Sequence, residues 1–256
     1  MKTRGALIMA RTLPERGLVE FWIQMAWNLG DLQHQLNAVQ RWVRPDDAPH
    51  SVPVTNYHFG WHRRPQWVPQ HLLEAQEICN LFIVIFRQHL QPFDEHLLRE
   101  AVRVHDFGEA IHCVQGHDVI LANKRDEHDL DEWLYFTQYL ERTYPNMQAL
   151  QEEMKRAFLL QFCLKGNSLL PAEIMEDLQN TRGTEALLFE AIERWGYLLY
   201  ALEQWHAYQN RDVLLNVLGN NRSHFDRLSR DLPGFGEEIW EQEMKSFCAH
   251  IMTLPQ

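Results

Sequence analysis

Apolar residues recur along this chain with a period near 3.6, segment after segment, and nowhere with the period of two that a strand facing one core needs. Proline or glycine punctuates these segments at intervals. The pattern predicts an all-α fold with helices over about 17–43, 68–90, 94–114, 126–143, 147–164, 171–179, 184–208, 211–229 and 236–252. With 45% apolar residues over 256 positions there is ample material for one buried core, so the whole chain, 1–256, is expected to form a single domain. Between the first two helices runs RPDDAPHSVPVTNYHFGWHRRPQ, rich in proline, histidine and aromatic residues. A connection of that length in a compact domain is more often functional than idle, and it is expected to cover a site.

The charge balance excludes some partners. With 24 basic against 35 acidic residues the net charge is −11, which opposes adhesion to bulk nucleic acid or anionic lipid. No apolar run approaches the roughly 18 residues of a membrane helix, and the run within MKTRGALIMARTLPERG is too short for a signal peptide. Cys79, Cys113, Cys163 and Cys248 form no CxxC pair and each lies in an apolar run, so they read as reduced core thiols of a cytoplasmic protein. Trp22, Trp27, Trp133, Trp195, Trp205 and Trp240 are expected in the core.

Three segments break the rule that inward stripes are apolar. In 94–114 the stripe Leu98, Ala101, Val102 continues into His105, Glu109 and His112, with Asp106 beside His105. In WVPQHLLEAQEICNLFIVIF, His71 leads the stripe Ala75, Ile78, Phe82, and Pro69 suits a first turn. In TEALLFEAIERWGYLLYALEQW, Thr184 is placed to cap the helix, and Glu193 shares a stripe with Phe189, Gly196 and Tyr200. Burying an ionised carboxylate is expensive without a partner or a cation. A lone histidine on such a stripe is more often a satisfied core residue, but two imidazoles, an aspartate and a further carboxylate from three helices form an N/O set suited to a divalent ion.

These residues resemble the H…HD…D signature of the HD-domain metal-dependent phosphohydrolases, and most closely the branch of HD-domain 5′-deoxynucleotidases. That branch is similar in its VxxH (Val68 to His71), its HDxxE about 35 residues on (His105 to Glu109), a following Gly-Asp, and a later helix beginning Glu-Ala (Glu185 to Glu193, then the apolar run from Tyr197 to Glu203). The likeness spans about Trp61 to Trp205, leaving an N-terminal helical extension over 1–55 and C-terminal helices over 206–256. Two departures stand out: a histidine intervenes in Gly116-His117-Asp118, and Glu193 stands where the family has aspartate.

The resemblance implies an HD-like helical bundle and a phosphomonoesterase acting on small (deoxy)nucleotides, with one divalent ion (Co, Mn, Mg, Zn or Fe) and commonly a homodimer. It implies His71, His105, Asp106 and Glu193 as metal ligands, and Glu109 and Asp118 as catalytic groups. Trp61, Arg63, Arg64, His112, His117 and Lys124 become candidates for contacting nucleotide, Trp67 lying nearby. Two other readings stay open. A silent nucleotide-binding protein would have lost its chemistry at Glu193, with Asp118 and Asp177 the next candidate ligands if Glu193 is none. A dinuclear HD enzyme, oxygenase or phosphodiesterase, would recruit a further histidine such as His128.

Overall fold

A computed structural model of the chain describes residues 18–41, 66–116, 124–208, 211–241 and 243–253. The elements follow in the order α1 (Leu18–Leu36), α2 (Val68–Phe86), α3 (Glu95–Val104), a 3-10 helix (Phe107–Val114), α4 (Asp126–Thr143) and α5 (Gln148–Leu159) with a further 3-10 turn (Leu160–Phe162). Then come α6 (Ala172–Thr181), α7 (Gly183–Tyr208), α8 (Arg211–Asp231), a π-turn (Gly236–Trp240) and α9 (Met244–Thr253). No strand occurs among the described residues, and the all-α expectation holds. All four cysteines are free; Cys79, Cys163 and Cys248 are buried and Cys113 is partly so. No described helix is long and apolar enough to cross a membrane.

Helix α2 packs against both α3 and α7, α3 also meets α5 and α7, and the 3-10 helix lies on α4. The core between them is aromatic: Phe136 of α4 stacks on Phe158 of α5 at 4.5 Å between centroids, and Trp133, Trp195 and Trp240 are buried. Each such side chain contributes on the order of 1.5–3 kcal/mol by leaving water. Trp22 and Trp27 depart from the expected core placement, being 43% and 73% exposed. Helix α1 has apolar residues on two faces, and the one that meets the bundle carries Leu32 and Leu36, leaving Trp22, Ile23 and Trp27 outside. It also ends at Leu36 rather than near 43, and the chain turns into an isolated antiparallel bridge between Gln40 and Trp67.

The main correction concerns 94–114. The periodicity predicts one helix; the α-helix instead runs from an Asp94 cap, whose carboxylate accepts from the Leu97 N–H at 3.0 Å, only to Val104. His105 closes it, donating its backbone N–H to Ala101, while the His105 carbonyl accepts from Gln161 Nε2 at 2.9 Å. Beyond Asp106 the backbone tightens, the Glu109 N–H bonding the Asp106 carbonyl three residues back. Gly108 shows why the path differs: a Cβ there would lie 2.6 Å from the Glu132 carbonyl oxygen, so α4 is seated directly on that glycine. Further on, α7 starts at Gly183, which places Thr184 inside the helix rather than at its cap.

Candidate metal centre

Three helices bring four side chains to one buried point. His71 enters from the first turn of α2, His105 and Asp106 from the break after α3, and Glu193 from the middle of α7. His71, His105 and Asp106 are 2%, 3% and 5% exposed, so water does little to satisfy them. The His71 and His105 Nε2 atoms face each other at 3.2 Å. Asp106 lies 3.6 Å from His71 Nε2 and 3.2 Å from His105 Nε2; Glu193 lies 3.3 Å and 3.2 Å from the same two atoms. Ligands held about 2.1 Å from one ion are about 3.0–3.4 Å apart in octahedral or tetrahedral arrangements, a range that holds every distance here except that from Asp106 to His71, at 3.6 Å. His71, His105 and Asp106 form a group that can hold a metal ion.

The protons agree with that reading. His105 Nδ1 lies 2.9 Å from the Val102 carbonyl, an acceptor only, so Nδ1 carries a hydrogen, and Nε2, turned to the centre, can either ligate a cation or carry a second proton. Glu193 Oε1 is buried beside that Nε2, 3.2 Å away. Lone pairs converging on one another are repulsive unless a cation or extra protons lie between them. Burial alone would lower the His105 pKa, but the carboxylates of Asp106 and Glu193 outweigh it and push it up to about 9. Burial would raise both carboxyls; His105, Arg41 and His71 instead hold Asp106 below its usual range, and the two imidazoles hold Glu193 well below it.

Arg41 and Tyr197 complete the surroundings, and the sequence reading missed both roles. Arg41 ion-pairs with Asp106, itself almost buried, and its guanidinium lies 5.9 Å over the Tyr197 ring. Its backbone is pinned by the bridge region, the Arg41 N–H donating to the Gln66 carbonyl at 2.8 Å. No local pattern marks Arg41, because only the return of the chain to Trp67 brings it to the site. Tyr197 was legible: it follows Glu193 by four residues on α7, donates its hydroxyl to Glu193 Oε2 at 3.3 Å and stacks beside His71. Gly196 lies next to His71, but a Cβ there would meet Ile78 and His71 only at 3.6 and 4.0 Å, so the glycine is not what admits the longer carboxylate.

The 3-10 path rearranges the remaining candidates. Side chains three apart eclipse on such a helix, so Asp106, Glu109 and His112 share a face, in place of the His105, Glu109, His112 stripe of a 3.6 period. Glu109 is 3% exposed. His112 belongs to a second buried cluster, its Nε2 lying 3.3 Å from Glu132 Oε1. Lys124 is in the same cluster, 2.9 Å from Glu132, so its ammonium is engaged by a carboxylate. His128 sits in the first turn of α4, where its Nδ1 accepts the Arg125 N–H at 3.0 Å, and Asp177 pairs with Arg156 at 2.6 Å on an exposed surface. Trp61, Arg63, Arg64, His117 and Asp118 lie outside the described residues.

No family model, no curated protein and no solved structure matches this chain.

Proposed function

We propose that the chain is a divalent-metal-dependent phosphohydrolase that releases phosphate from nucleoside 5′-monophosphates, deoxynucleotides foremost. The supporting observation is the convergence of two imidazole Nε2 atoms and two carboxylates at 3.2–3.6 Å, beside a buried arginine. The nucleotide class follows from the resemblance to the HD-domain 5′-deoxynucleotidases.

His71, His105, Asp106 and Glu193 would hold a divalent ion, which would supply positive charge to a phosphate oxygen and make water a better nucleophile. The chain's own groups do the rest. The Arg41 guanidinium, planar and always charged, presents its fork to the phosphate while one of its nitrogens stays on Asp106. The Glu109 carboxylate takes a proton from the attacking water and returns it to the ester oxygen as the P–O bond breaks, so that water and phosphomonoester become alcohol and phosphate. Tyr197 keeps Glu193 aimed inward through its hydroxyl. Burial of the centre strengthens each of these interactions over its value in water.

The test is phosphate release from a panel of deoxy- and ribonucleotides by chelator-stripped protein reloaded with Co, Mn, Mg, Zn or Fe. Metal-dependent turnover of monophosphates, strongest without a 2′-hydroxyl, is the result that supports the reading. One observation favours a second reading, a nucleotide binder without turnover: the ion pair commits an Asp106 oxygen to Arg41. Nucleotide binding with no release under any metal would select it.

A further inference from the structure

Glu132 is almost completely buried and charged, yet stands outside the metal centre. It touches the 3-10 helix twice. Its backbone lies under Gly108, where a Cβ would come within 2.6 Å of the Glu132 carbonyl oxygen and 2.7 Å of its Cβ. One turn and a third further on, its carboxylate meets His112 Nε2 at 3.3 Å, while Lys124 holds the same carboxylate at 2.9 Å. The eight-residue segment gripped in this way, Phe107–Val114, follows directly on Asp106 and carries Glu109. A 3-10 helix seldom runs beyond three or four residues, because its hydrogen bonds are poorer than those of an α-helix. Left alone, this stretch would relax toward the α-helical path that its own periodicity favours, turning Asp106 and Glu109 away from their present directions.

We infer that Glu132 is a positioning residue for the metal centre: by holding the 3-10 helix at Gly108 and at His112, it sets the direction of Asp106 and Glu109. The inference rests on the metal reading above. A buried ion pair generally gives little net stability over apolar packing, whereas a two-point grip fixes a geometry. The neighbouring Asp129 provides an internal control. It is as deeply buried and is held by Lys165 at 2.5 Å and Asn167 at 3.2 Å, while Lys124, which holds Glu132 at 2.9 Å, comes no nearer to it than 4.0 Å.

Cobalt(II) is the probe, since its visible spectrum reports ligand geometry without any turnover. Full-length wild type, Glu132→Ala, Glu132→Gln, Gly108→Ala and Asp129→Asn would be titrated with cobalt and melted. Glu132→Ala and Gly108→Ala should change the spectrum and weaken cobalt binding by about 10-fold or more, the scale typical of groups that orient ligands. Glu132→Gln, whose amide oxygen still accepts from His112, should recover the wild-type spectrum. Asp129→Asn should melt earlier with spectrum and affinity unchanged. A folded Glu132→Ala with wild-type spectrum and affinity overturns the inference, as does Asp129→Asn matching it. If Glu132→Ala does not fold, Gly108→Ala decides by the same criterion. A wild type that binds no cobalt removes the metal reading and this inference together, whereas cobalt binding without phosphatase activity leaves this inference standing.

Discussion

Two clusters of buried charge lie toward the two ends of the 3-10 helix, built from the same residue types and opposite in design. Around His112, two carboxylates, Glu132 and Asp129, meet two ammonium groups: Lys124 serves Glu132 and Lys165 serves Asp129. That cluster is neutral. Around His71 and His105, the carboxylates Asp106 and Glu193 meet one guanidinium, from Arg41, and the two imidazole Nε2 atoms point at them. That cluster is short of positive charge until a cation or an imidazole proton joins it. The contrast teaches that burial of histidines and acids is a poor marker of a site, since both clusters have it. Convergence of acceptors upon one another distinguishes the candidate centre, because in a low-dielectric interior it is stable only with a cation or added protons.

The sharpest way to break the comparison is His105→Ala. It should abolish tight metal binding, read by atomic emission after dialysis, and with it any activity. Retention of one ion per chain would place the metal elsewhere. Glu193 comes next: Glu193→Ala should eliminate hydrolysis and weaken metal binding, while Glu193→Asp should keep the ion and preserve or raise activity. If neither substitution alters occupancy, Glu193 is no ligand. Glu109→Gln should bind metal and nucleotide as wild type does but turn over about 100-fold more slowly, and an unchanged kcat would assign Glu109 to packing.

A smaller effect is visible in pH. In metal-free protein a proton on His105 takes the place of the cation, burial opposing it and Asp106 and Glu193 prevailing, so that its pKa rises from 6.5 to about 9. A raised folded pKa stabilises fully below the unfolded value, and that stabilisation is lost as pH climbs through the folded one. In chelator the thermal midpoint should therefore fall between pH 6.5 and about 9. Saturating metal should flatten the decline; an equal decline with and without metal would detach it from this centre. The smallest effect belongs to the neutral cluster. Lys165→Ala removes a half-exposed partner of Asp129 and should cost about 1–3 kcal/mol in unfolding free energy, with metal affinity unmoved. A loss of metal there would show that the two clusters are coupled.

Much of the centre was legible before the fold was known. His71, His105 and Glu193 each stand at an inward position of an apolar stripe, with Asp106 adjoining His105, and a stripe is a property of neighbours along the chain. Arg41 was not, since no spacing relates it to Asp106, 65 residues away. Lys124 was legible as a cation near the site but not as the partner of a buried acid, because sequence does not rank a phosphate against Glu132 as its counter-charge.

The sequence by itself determined the helical class and which residues face inward, because helix periodicity and the cost of burying polar groups act within a few residues. Tertiary structure alone decided where the helix from Asp94 stops. Gly108 offers room, but only the arrival of α4, with Glu132 against that glycine, turns the room into a 3-10 path. That contact joins residues far apart in the chain, and it moves Glu109 from the stripe of His105 to the face of Asp106, a difference that no period in the sequence encodes.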